Sequence, residues 1–144
     1  MFTIEHKKGE AVSFITLPAK EAVAQIVEEY RIMTGDSNKP ATLREFAAAL
    51  SEATQPGGRG VSYQSIKNWS DRTYLPDSYF MVRLEKLARR DWRGQFAGDI
   101  LAALHPETYQ PVSEIGRRAL QAGRELAKHL NRRIHKGGNG NGTH

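Results

Sequence analysis

Gln64, Lys67 and Asn68 share one side of the stretch Gly60-Val61-Ser62-Tyr63-Gln64-Ser65-Ile66-Lys67-Asn68-Trp69, and their side chains suit the reading of base edges. A carboxamide pairs bidentately with adenine, and an ammonium donates to guanine. At about 100° per residue, Ile66 and Trp69 fall on the opposite side with Ser65 beside them, while Asp71 joins the polar side. Gly60 supplies a turn, Ser62 is placed to accept a backbone N–H as a helix cap, and Val61 and Ile66 are spaced as a hydrophobic staple. Tyr63 is a fourth base-edge candidate, toward a thymine methyl or the backbone. Arg44, Arg59, Arg72, Tyr74 and the Ser62 hydroxyl surround this helix and suit phosphate oxygens, which fix register without carrying sequence information. The plainer reading makes all of them ordinary exposed polar residues of a helical domain.

Other chemistries find less to work with. The chain has no cysteine, so disulfides, thiolate metal sites and cysteine nucleophiles are excluded. His6, His105, His129, His135 and His144 are scattered, with no pair at metal-ligand spacing beside an acidic third partner. Gly57-Gly58-Arg59-Gly60 lacks the Lys-Ser/Thr that a phosphate-cradling loop requires. We therefore expect no enzyme, no cofactor and no metal. No apolar run reaches membrane-spanning length and the first residues lack a signal-peptide core, so a cytoplasmic protein without a membrane partner is expected.

The elements that must position the polar trio are mainly helical. Residues 1–17 read as a β-hairpin: Phe2 and Ile4 alternate with polar neighbours, Lys7-Lys8-Gly9-Glu10 is the turn, and Val12 and Phe14 resume the alternation. A helical body then spans 18–105. Pro18 starts its first helix, with Ala22, Val23, Ile26, Val27, Tyr30 and Met33 on one stripe. Thr42 and Glu45 form a capping box for a second helix that buries Leu43, Phe46, Ala47 and Leu50. The third is the Ser62–Trp69 stretch. A fourth carries Phe80, Met81, Leu84, Leu87 and Ala88, and a fifth, capped by Asp91, carries Trp92, Phe96, Ile100, Leu101 and Leu104. Asp99 reads as a solvated helix charge or cap. A basic amphipathic helix over 112–136 follows, and the glycine-rich 137–144 reads as a disordered tail.

Gly60-Val61-Ser62, Ile66 and Trp69, with Phe46-Ala47 before them and Pro76 and Leu84-Glu85-Lys86-Leu87-Ala88 after, stand in the register of a known pattern. On these residues the chain resembles the lambda-repressor/Cro-like, or XRE, family of helix-turn-helix DNA-binding domains, from about Ala22 to Leu104. The resemblance implies a five-helix domain whose second and third helices bind DNA, with Phe46, Ala47, Ile66, Trp69, Leu84 and Leu87 as its motif core. It also implies a repressor-like regulator of the bacterial or phage type, associated with the nucleoid. The sequence departs from the pattern in three places. Ser51 to Arg59 lengthen the turn, Leu43 stands where a glutamine is common, and Ser70 and Arg72 replace the Glu and Gly that follow the Trp.

Charge is unevenly placed. Between Ser113 and Lys136 seven bases face two acids, an excess equal to the +5 of all 144 residues. This marks the last helix as a polyanion face or as plain solvated surface. Its stripe of Ile115, Ala119, Ala122, Leu126 and Leu130 fits two arrangements, a homodimer face or a fold-back onto the same domain. The hairpin is a second candidate for dimer pairing. Double-stranded DNA is the expected partner, and the rival is a protein-interaction module of the same fold whose third helix binds protein.

Overall fold

Thr42, Ser62, Asp77 and Asp91 each open a helix by accepting a backbone N–H with a side-chain oxygen, from Glu45, Ser65, Tyr79 and Arg93 respectively. Each satisfies one of the donors that a first helical turn leaves without a partner. The computed structural model describes the backbone of residues 2–54 and 60–142, and the side chains of 16–54 and 60–132. Its helices are α1 (Phe2–Thr34), α2 (Leu43–Glu52), α3 (Tyr63–Ser70), α4 (Ser78–Leu87), α5 (Trp92–Leu104) and α6 (Glu114–Gly142). The chain is mainly helical, and among the described residues there is no strand, only an isolated bridge between Asp36 and Lys39.

The hairpin expected over residues 1–17 is therefore replaced by helix from Phe2, and Pro18 lies inside α1 rather than at its start. Two strands alone are marginal, and no third strand is available among the described residues to stabilise them. The chain instead continues a helix whose later turns are fixed by packing. The final helix likewise runs past Lys136, where the glycines were expected to end it.

α1 packs against every other helix but α4, which packs on α5. It buries Ala22, Val23, Ile26, Val27 and Tyr30 against α5, α6 and the α2–α3 pair. Tyr30, Phe46, Trp92 and Phe96 form one aromatic cluster, with Phe96 edge-on to both Tyr30 (5.4 Å) and Phe46 (5.3 Å). Edge-to-face pairs of this kind place positive ring edges on negative faces. Arg93 joins the start of α5 to the end of α2. Its Nε donates to the Ala49 carbonyl (2.6 Å), which the helix end leaves open, and its other nitrogens reach Glu52 and Asp91. Leu87 departs from the expected core: it is 57% exposed, while Met81, Leu84 and Ala88 turn inward. Leu87 is the last residue of α4, and the chain leaves helical geometry at Ala88 (φ −116°, ψ 31°), which turns the smaller side chain inward.

α6 runs antiparallel to α1, since Ser113 lies beside Tyr30, Arg118 pairs with Glu29, and Gly123 sits against Pro18. A Cβ on Gly123 would stand 2.7 Å from the Pro18 carbonyl oxygen, so the crossing requires glycine. Ala119 and Leu120 are buried by this packing within one chain. The first half of α6 therefore folds back, which removes Ala119 from any dimer face and places Ile115 against the same core. Ala122, Leu126 and Leu130 remain half-buried.

The start of α6 is held by Asp99, which is fully buried, correcting its reading as a solvated charge. One carboxylate oxygen accepts from Val112 N (2.8 Å) and Ser113 N (3.1 Å). The other accepts from the Tyr30 hydroxyl (2.8 Å) and the Ser113 hydroxyl. Burial, together with the neighbouring Asp99 charge, pushes the Tyr30 phenol well above the usual tyrosine range, although its contact with Ser113 acts the other way. The unfolded phenol ionises near pH ~10 while the folded one keeps its proton, so stability from this group is full below that pH and falls above it. In urea titrations, Tyr30→Phe should be less stable than wild type at pH 8. The gap should narrow as the pH rises above about 10, and a constant gap would contradict this account.

Candidate nucleic-acid interface

α3 is eight residues long and has two buried anchors, Ile66 and Trp69. Its Ser62 cap leaves extended backbone (φ −87°, ψ 160°) for the incoming chain, and Val61 packs against the core as the staple spacing implies. With Ile66 and Trp69 turned inward, Gln64 and Lys67 are exposed, and Asn68 is half-buried at the edge of the same face. The Gln64 amide donates to the Asn68 side-chain oxygen at 3.1 Å. Each amide still has a second hydrogen and a second lone pair, so both keep the means to engage a base edge. Lys67 Nζ lies 2.9 Å from Asp71, whose hydrogen bond raises the lysine pKa.

The flanks of α3 are arranged by residues far from it in sequence. Ser51 Oγ accepts from Val61 N (2.9 Å) and donates to Val61 O (3.1 Å), closing the lengthened connection between α2 and α3. A Cβ on Gly60 would lie 2.3 Å from that hydroxyl, so the glycine provides room rather than the turn expected of it. Arg44, at the start of α2, stacks its guanidinium 4.0 Å from the centre of the Tyr63 ring. Tyr74 is 64% exposed just beyond the helix, and Ser62 is exposed at its start. Arg59 lies outside the described residues.

Arg72 differs most from its expected role. It donates through Nε (2.8 Å) and a terminal nitrogen (3.2 Å) to the two oxygens of Glu21 on α1, so its guanidinium is directed at the protein rather than at a phosphate. These bonds hold the Glu21 carboxyl below the ordinary carboxylate range despite partial burial, and raise the Arg72 pKa. The contacts of Glu21 and Ser51 have no signal in the sequence, because each residue acts across ten or more positions on a partner with no local spacing to mark it.

Among the described residues, the face around α3 is close to electrically balanced. Arg44 and Lys67 stand against Glu45 and Asp71, and Arg72 is neutralised by Glu21. The bases of α6 include Arg117, Arg118 and Lys128, which pair with Glu114, Glu29 and Glu125. Among the described residues, no group of three or more His, Asp or Glu side chains is arranged to hold a metal ion, and no helix is long and apolar enough to cross a membrane. Compared with protein-family models, curated proteins and solved structures, the chain matches none.

Proposed function

We propose that this chain binds double-stranded DNA sequence-specifically, with α2 and α3 as a helix-turn-helix pair, α3 in the major groove, and a repressor-like role in transcription. The observation that carries the reading is the division of α3. Ile66 and Trp69 dock one side in the core, while Gln64, Lys67 and Asn68 stand outward on the other. Gln64 and Asn68 read base edges, and Lys67 exchanges Asp71 for guanine or shares it with a cytosine amino group. Arg44, Ser62 and Tyr74 contact phosphates on either side.

Selection from randomised duplexes would supply a preferred site for titration. Gln64→Ala and Asn68→Ala should then each lose about 1–3 kcal/mol on that site, confined to one base position. Arg44→Ala should weaken scrambled duplexes as well as the selected one and lower the salt slope by about one. Equal losses on selected and scrambled duplexes for all three variants would remove the base-reading assignment. The near-balanced charge around α3 favours one competing reading, in which the same face docks a protein. Duplex binding with no salt dependence, or no duplex binding at all, would favour that reading.

A further inference from the structure

Arg72 has φ 65°, a left-handed backbone that costs a side-chain-bearing residue energy and is ordinarily filled by glycine. It stands at the end of α3 in a Schellman arrangement, with Thr73 N bonded to Asn68 O (2.9 Å) and Arg72 N to Trp69 O (3.3 Å). Glycine would satisfy that geometry without strain. What arginine adds is the two-pronged bridge to Glu21, 51 residues earlier on α1. We propose that Arg72 is a positioning residue: it accepts a strained backbone so that its bridge to Glu21 fixes the angle at which α3 presents Gln64, Lys67 and Asn68. This role rests on the DNA-binding reading above.

The need for such a bridge follows from the way α3 is docked. Two buried side chains on one face, Ile66 and Trp69, dock α3 along a single line and leave its rotation about that line to contacts at its two ends. The leading end is tied by Ser51 to Val61, and by Arg44 on Tyr63. Just past Trp69, at the trailing end, the Glu21 bridge adds a two-point tie to α1, and Gln25 steadies Glu21 by donating to it at 3.0 Å. The planar guanidinium fork matches the carboxylate at two points, so it sets orientation as well as distance. Asn68, whose carbonyl accepts from both Thr73 N and Tyr74 N, lies in the turn that this bridge anchors.

Three variants of the full chain test the role: Glu21→Gln, Arg72→Gly and the double variant. In titrations with the selected and a scrambled duplex, Glu21→Gln should lose about tenfold on the selected site, the scale of one misplaced base contact. On the scrambled duplex it should lose nothing, because it removes a negative charge. Arg72→Gly should lose specificity to the same extent with an unchanged salt slope, and with a melting temperature equal to or above wild type. The double variant should be no worse than either single one, as expected of two residues acting as a unit. A uniform loss in Arg72→Gly with a salt slope lower by about one would make Arg72 a phosphate contact and overturn the proposal. So would a Glu21→Gln variant with the specificity ratio of wild type. If the wild-type chain binds no duplex, the DNA reading and this role fall together. The bridge itself is tested without DNA: faster amide exchange at Thr73 and Tyr74 in Glu21→Gln supports it, and unchanged exchange overturns it.

Discussion

Asp99→Ala is expected to destabilise the protein by about 3–5 kcal/mol, lowering Tm by about 10–15 °C. The carboxylate is fully buried and accepts from two backbone N–H groups and two hydroxyls. Removing it leaves Val112 N, Ser113 N and the Ser113 hydroxyl short of an acceptor, at about 1–3 kcal/mol for each that no water reaches, while the Tyr30 hydroxyl keeps only its longer bond to Ser113. Asp99→Asn should cost less, since its oxygen still serves Val112 N and Ser113 N while the hydroxyls of Tyr30 and Ser113 can turn to accept. Because Asp99 organises the entry into α6, amide protection should fall there first. Chemical denaturation with exchange measurements checks both points, and a loss under about 1 kcal/mol for the alanine variant would contradict the ledger of bonds.

Trp69→Ala should cost a similar amount, about 3–5 kcal/mol, by opening a cavity beneath α3. Its consequence is more local, because α3 has only Ile66 as its other buried anchor. At temperatures where Trp92 fluorescence reports an intact aromatic cluster, α3 should already exchange its amides freely. Affinity for a selected duplex should then be lost before the rest of the fold. Trp69→Phe should retain most of both. A variant that unfolds in a single step, with α3 protected until the end, would show that α3 is held mainly by its end contacts.

The elements that could be read from the sequence are those set by neighbours a few residues apart. The Thr42 and Glu45 capping box, the Ser62 and Asp91 caps, and the inward pairing of Ile66 with Trp69 all depend on short spacings. The segment before Pro18 misled because alternation of apolar residues over a few positions fits a strand as well as it fits a helix. Asp99 offered a signal in its surroundings: it interrupts an otherwise apolar or small run from Phe96 to Leu104, and a helix apolar on every side is a buried one. Arg72 also carried a sign, as a departure at a position where the resembled pattern has glycine. Its partner carried none, since nothing in the residues around Glu21 distinguishes it from Glu28 or Glu29. Of the proposed base-reading face, short spacings make legible the outward placement of Gln64, Lys67 and Asn68 on α3.

The Ser51 hydroxyl, bonded to both the amide and the carbonyl of Val61, has a consequence for how this region can change. It ties the end of α2 directly to the start of α3, so the length of the connection between them has little leverage on either helix. Doubling the length of such a connection adds only about 0.6 kcal/mol of closure entropy. Residues added or removed between Thr54 and Gly60 should therefore leave the spacing of α2 and α3 preserved. Length can thus change at this point of the chain without refitting the pair of helices beside it.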